Sequence, residues 1–140
     1  MIRPGRDERG SMTLWVLGLS VSVLFLGGLG VDLWRVIELR RSLSATADAT
    51  ATAGANGLDD AALRRGETRL DPRLAERLAE EQLAIEGDAD RIDRVEINAD
   101  AASVEVELVG TVEFSLLGIF VTGDPIEVHV RAAAEPERSG

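Results

Sequence analysis

The sequence predicts an α+β chain: one long N-terminal helix, a transmembrane half followed by a soluble half, packed on a small antiparallel three-stranded sheet with one or two short helices. Three observations predict it. Residues 11–31 form a run of twenty-one positions without a charge. Residues 32–57 continue without a proline and are rich in alanine, the strongest helix former. Further on, Val104, Val106 and Leu108 alternate with Glu105, Glu107 and Val109, and Ile126, Val128 and Val130 alternate with Glu127, His129 and Arg131. That period of two marks half-buried strands.

The first element is the membrane segment. As a helix, the uncharged run measures roughly 31 Å at about 1.5 Å per residue, one hydrocarbon core. Charges stop at Arg9 and resume at Asp32, and Trp15 and Trp34 sit near the two ends, where amphipathic rings favour the headgroup level. A cleavable secretory signal is the competing reading, but the run exceeds the usual apolar region of a signal and no small-x-small site closely follows it. A buried helix of a soluble protein is another, although 140 residues are too few to surround one. Charge leaves the orientation open, because three Arg precede the run while Arg35, Arg40 and Arg41 follow closely. Gly18 and Ser22, with Gly27, Gly28 and Gly30, give the span a small-residue character. They read either as a helix-packing face or as glycines tolerated in lipid.

Past the membrane the helix continues. Leu33, Ile37, Leu43, Ala47, Thr50 and Gly54 fall in one broad stripe, with Arg40, Arg41 and Ser44 on the other side. Asn56-Gly57 is the expected stop, since both residues tolerate a left-handed conformation. A second helix is expected to begin near Asp59-Asp60 and to be interrupted at Gly66. A third has Asp71 as N-cap and Pro72 in its first position, then Leu74, Ala75, Leu78, Ala79 and Gln82 in helical spacing, and closes at Gly87. Ile92, Val95 and Ile97 alternate loosely as a first strand. Asn98-Ala99-Asp100 is turn chemistry, which joins that strand to the one at Val104 in a hairpin. The apolar run from Phe114 to Val121 reads as a loop or short helix that either plugs the sheet edge or rests on the membrane surface. The tail from Glu135 is polar and expected to fray.

Composition narrows the function. The chain has no Cys and no Lys, which excludes disulfides, thiolate metal sites, cysteine nucleophiles, lysine Schiff bases and P-loops. A net charge of −10 argues against nucleic acid as a partner, and 4% aromatics against base-stacking platforms. Residues 1–54 hold six Arg and five acids, whereas residues 55–140 hold nine Arg and twenty acids. The acidity therefore belongs to the C-terminal part.

Candidate chemical sites fail on their residues. Asp88, Asp90 and Asp93 resemble a calcium loop superficially, but the sixth and twelfth positions counted from Asp88 are Asp93 and Ala99 rather than Gly and Glu. His129 is the only His and lies on the polar alternation of a strand, so zinc is not expected. Neither Ser103 nor Ser115 has the glycine pattern of a nucleophile elbow. The expectation is no catalytic residue, no metal and no cofactor.

Taken in order, the stretch Arg6-Asp-Glu-Arg-Gly-Ser-Met-Thr-Leu-Trp15, the long apolar run, Gly30-Val-Asp32-Leu-Trp-Arg35, and the Ala-rich block from Leu43 through Asp48 to Gly54-Ala55 resemble the N-terminal region of TadE/TadG-like proteins. That family serves the tight-adherence (Flp) pilus, a branch of the type IV pilus and type II secretion machinery. The resemblance covers about residues 6–57, and the arginine-only basic content suits a GC-rich bacterial genome. It implies a pilin-like fold and residues 1–10 as a charged cytoplasmic leader. It further implies a span at 11–31, a helix continuation at 32–57, an extracytoplasmic α+β domain at 58–134 and a tail at 135–140.

The resemblance also implies a prepilin-peptidase cut at Gly10–Ser11 and gives Asp32, Asp48 and Gly54 the standing of family-like positions. Pseudopilins carry a Glu at the fifth mature position, used in subunit packing. Counted from Ser11 that position is Trp15, which cannot neutralise a neighbour's terminal amine in lipid. TadG-like members, which stay anchored, suit Trp15 better, although larger ones carry an added C-terminal domain for which this chain is too short. The implied function is a single-pass membrane component of Flp pilus assembly or type II-like secretion. It acts by helix packing and protein contact with the membrane, with other assembly or secretion subunits and with prepilin peptidase. The alternative is a stand-alone envelope binding module outside any pilus.

Overall fold

The computed structural model describes residues 8–88, 90–113 and 125–137. In chain order they form α1 (Glu8–Gly54), α2 (Asp60–Leu63), α3 (Pro72–Glu86), β1 (Arg94–Ala99), β2 (Val104–Val112) and β3 (Ile126–Ala134). These described residues divide into two compact units, one made of α1 up to Trp34, the other of residues 35–113 and 125–137. The expected α+β class is the one observed. The apolar run at 114–121 lies outside the described residues, so neither of its two readings is decided. Residues 135–137 have no regular structure.

The 47 residues of α1 form without interruption, as their lack of proline and their alanine content require. Within the second unit the helix buries Leu39, Leu43, Ala47 and Ala51. These residues recur every four positions and so share one face. Thr50 and Gly54 are buried beside them. The expected stripe is thus right from Leu43 onward and wrong before it. Leu33 and Ile37 remain 57% and 40% exposed. Leu39 takes the place they were expected to fill.

The helix ends in a tight turn, with the Gly57 N–H donating to the Gly54 carbonyl at 2.9 Å. Contrary to expectation, neither Asn56 nor Gly57 is left-handed. Among the described residues only Gly66 has a positive φ, 78°. Gly57 is needed for room instead, because a Cβ there would lie 2.7 Å from the backbone N and Cα of Ala75 on α3.

The predicted Asp71 cap forms, and Asp59 caps a second helix. The Asp59 carboxylate accepts from the N–H groups of Ala61 (2.8 Å) and Ala62 (3.1 Å), starting the single turn of α2. The Asp71 carboxylate accepts from Arg73 and Leu74, with Pro72 in the first turn of α3. An N-cap carboxylate satisfies N–H groups that have no partner inside the helix. Ala75 and Ala79 form the buried face of α3, and Gly87 ends it.

The sheet has the order β1-β2-β3, with both pairings antiparallel. The hairpin turn sits later than expected. Asn98 and Ala99 belong to β1, paired with Glu105 and Val104. The turn is Asp100–Ser103, closed by the Asp100 carboxylate accepting from the N–H groups of Ala102 (2.7 Å) and Ser103 (2.8 Å). An Asx-type turn needs its carboxylate at the first corner, and Asp100 supplies it. The third strand extends through Ala134, since Ala132, Ala133 and Ala134 pair with Val106, Glu105 and Val104.

Inward residues of the central strand, Val104, Val106 and Leu108, are completely buried against α1, α3 and β3. Gly110 follows them on β2. A Cβ there would fall 2.5 Å from the Arg91 carbonyl and 3.0 Å from Cδ1 of Leu43. The missing side chain makes room for Leu43 of α1.

One polar atom in this core lacks a partner. Thr50 is fully buried and its Oγ1 has no hydrogen bond among the described residues. A buried hydroxyl without a partner costs stability that an apolar side chain of the same shape does not. Thr50→Val is therefore expected to raise the unfolding free energy by about 1 kcal/mol, read as a higher denaturant midpoint at unchanged slope.

Candidate membrane anchor and packing seam

Of the described residues, one helix is long and apolar enough to cross a membrane. Its first part turns apolar side chains outward on every side: Leu14, Trp15, Leu24 and Leu26 are all at least 65% exposed. A helix that is hydrophobic all round and largely exposed is at home in lipid. Trp15 and Trp34 are 77% and 63% exposed near the two ends of that part. The helix is consistent with a single-pass membrane anchor.

Gly10 and Ser11, the expected cleavage pair, lie in the N-terminal turn of α1. Among the described residues, a Cβ at Gly18, Gly27 or Gly30 would meet nothing within 4 Å. The Ser22 hydroxyl donates to the Gly18 carbonyl at 2.8 Å, and that of Ser20 to Val16 at the same distance. Back-bonding of this kind satisfies a hydroxyl in an apolar medium. Gly28 is buried.

The family-like positions divide. Asp32 is buried, with 1% of its surface accessible. Asp48 is exposed, on the face of α1 away from the core. Gly54 sits where a Cβ would meet Val104 at 3.0 Å and the Ala75 carbonyl at 3.1 Å, so helix, strand and α3 converge on it. Together with Gly57 and Gly110 it forms a seam of three glycines along which α1 and its flanking turn meet the rest of the second unit. Sequence reading singled out Gly54 but missed the roles of Gly57 and Gly110. An isolated glycine inside a strand pattern, as at Gly110, was the available signal.

The outer face of the sheet is polar. Arg131 donates to Glu107 across the β2–β3 pair at 2.7 Å, and His129 lies between Glu107 (3.6 Å) and Glu127 (3.3 Å). All of these side chains are solvent-accessible, so the pairs add register more than stability. Among the described residues no group of three or more His, Asp or Glu side chains could hold a metal ion. Asp88 of the calcium-like segment is instead paired with Arg91 at 3.2 Å.

Three carboxylates are held below their ordinary pKa. Asp59 is lowered by the backbone N–H groups of Ala62 and Ala61, Asp100 by those of Ala102 and Ser103, and Glu107 by its hydrogen bond from Arg131. In the unfolded chain all three have higher values and bind protons first as pH falls. Their contribution is therefore complete above about pH 4.5 and is lost as pH drops through the native values. A denaturant midpoint that falls below that pH, with a shallower fall in Asp100→Asn, is the expected outcome.

The comparison with known families concerns the helix. Residues 10–57 match the model of the putative Flp pilus-assembly TadE/G-like family. This segment is similar to that TadE/G-like family. Comparison with curated proteins and with solved structures gave no match. The TadE/G-like stretch begins within the first turn of α1 and ends at Gly57, the residue fitted against Ala75. It therefore spans the apolar helix, Asp32, the Ala-rich block and the two N-terminal glycines of the seam. Residues 58–140 lie outside it.

Proposed function

We propose that this chain is a membrane-anchored TadE/TadG-like component of Flp pilus assembly or type II-like secretion that works by packing rather than by catalysis. The observation that carries this reading is the coincidence of the family match at 10–57 with one helix, exposed and apolar at its start and seated on a sheet at its end. In this reading residues 11–31 cross the membrane, residues 1–10 are cytoplasmic, and residues 58–134 form an extracytoplasmic domain on the helix continuation at 32–57. Gly18, Gly27 and Gly30 are open and offer partner helices a close approach in lipid. The domain faces soluble parts of other subunits.

Trp15 bears on how far the pilin comparison extends. The fifth position after Gly10–Ser11 holds an exposed indole rather than a carboxylate. It favours a permanently anchored subunit over one stacked in a filament. Gly10–Ser11 is the bond for prepilin peptidase if the leader is removed.

Affinity purification of the tagged chain from its native membrane, with quantitative mass spectrometry, tests the assignment. Enrichment of Flp assembly components or their secretion ATPase is the expected result. Recovery of a monomer free of them would support the stand-alone envelope module.

A further inference from the structure

A cleft of about 480 Å³ opens between α3 and β1, lined by Glu80, Leu83, Ala84, Ile92, Val95 and Ile97. It exists because the inward residues of β1 are incompletely covered. Val95 and Ile97 pair with Leu108 and Val106 of the buried central strand, yet Val95 remains 42% exposed and Ile97 half-buried. The strand beside the cleft is also an edge. Its one neighbour among the described residues is β2, so the N–H and C=O groups on its other side have no strand partner there. An edge strand next to an apolar cleft is the arrangement that accepts an added strand, with backbone bonds giving affinity and alternate side chains entering the cleft.

Charge selects the occupant. From Glu80 to Arg94 the chain carries six acids (Glu80, Glu81, Glu86, Asp88, Asp90 and Asp93) against two arginines, Arg91, which pairs with Asp88, and Arg94 at the start of β1. Glu96, on the opposite face of β1, is exposed beside the same edge. A second copy of this chain would bring a second acidic rim against the first. An extended segment with apolar residues at alternate positions and cations between them satisfies the edge, the cleft and the rim together.

We propose that the cleft between α3 and the free edge of β1 receives an extended, apolar and cationic segment of another protein by strand addition. The test uses the full chain in lipid nanodiscs and a labelled heptapeptide of alternating arginine and valine. Two controls accompany it: the same peptide with glutamate for arginine, and one N-methylated on alternate residues, which keeps the charge and loses strand hydrogen bonds.

Saturable binding of the first peptide, with slowed amide exchange in β1, is expected, and neither control should bind comparably. Ala84→Trp fills the cleft from an exposed position and should weaken binding by about tenfold or more. Glu80→Arg should weaken it several-fold, and the loss should shrink as salt is raised. Equal binding of the N-methylated or glutamate peptide would overturn the proposal. So would unchanged affinity in Ala84→Trp, or the absence of saturable binding. The peptide assay reads the cleft alone, so it can fail while the purification above succeeds, and the reverse.

Discussion

Leu43→Ala is expected to lower the unfolding free energy by about 4 kcal/mol, in the upper half of the range for truncating a buried leucine. Leu43 is 2% exposed and belongs to the cluster that contains Val104, Val106 and Leu108. Its Cδ1 occupies space that a side chain at position 110 would otherwise claim. Rigid backbone on the strand side limits how far the cavity can close, which puts the loss at the upper rather than the lower part of the range. Ile37→Ala removes a similar volume from a side chain 40% exposed and should cost under about 1 kcal/mol.

The same seam predicts coupling. Gly110→Ala places a methyl near both Leu43 and the Arg91 carbonyl, and should cost about 2 kcal/mol alone. In the Leu43→Ala background one of those clashes is gone, so the two losses should add to less than their sum. Amide exchange of β2, followed in the full chain in detergent, reads all four proteins of the cycle. Full additivity would mean that Leu43 and Gly110 do not share the space assigned to them.

Leu24→Arg should largely prevent stable membrane integration. Leu24 lies near the middle of residues 11–31 and is 71% exposed, so an arginine there would face the lipid. Moving from a favourable leucine to a guanidinium at the centre of a span costs about 3 kcal/mol on insertion scales. The substituted chain should be extracted by alkaline carbonate or degraded, while Leu24→Ile remains in the pellet. Arg at position 48 in place of Asp48, on an exposed surface outside the run, should leave integration unchanged. Retention of Leu24→Arg at the level of the parent chain would mean that residues 11–31 are not the anchor.

Much of the architecture could be read from local signals, because those signals have local causes. Asp71-Pro72 marked the start of α3 by capping chemistry, and strict alternation at Val104–Leu108 marked the buried strand. The twenty-one uncharged residues and the Ala-rich block together marked one unbroken helix. Errors arose where tertiary contact decides. A stripe drawn broadly admits Ile37, about 120° from Leu43 around the helix, whereas the contact with the strands is made by Leu39, about 40° from it. The reason for Gly57 was misjudged because a glycine serving close approach looks in sequence like one serving a left-handed turn. The hairpin turn slipped by about two residues because Asn98 and Asp100 are both turn formers, and only the register against β2 decides between them. The α3–β1 cleft had no sequence signal, since it is a gap between elements that are each complete.

The central claim is that residues 11–31 remain in the mature protein as its membrane anchor, continuous with the helix that holds the domain. Intact-mass spectrometry of the protein purified from its native membrane tests it directly. The account predicts a chain whose first residue is Ser11 or an earlier one, recovered with the membrane. A start at Ser11 would add that Gly10–Ser11 is processed despite Trp15. A mature chain beginning beyond Val31 and recovered in the soluble fraction would contradict the account, because the apolar run would then be a discarded signal.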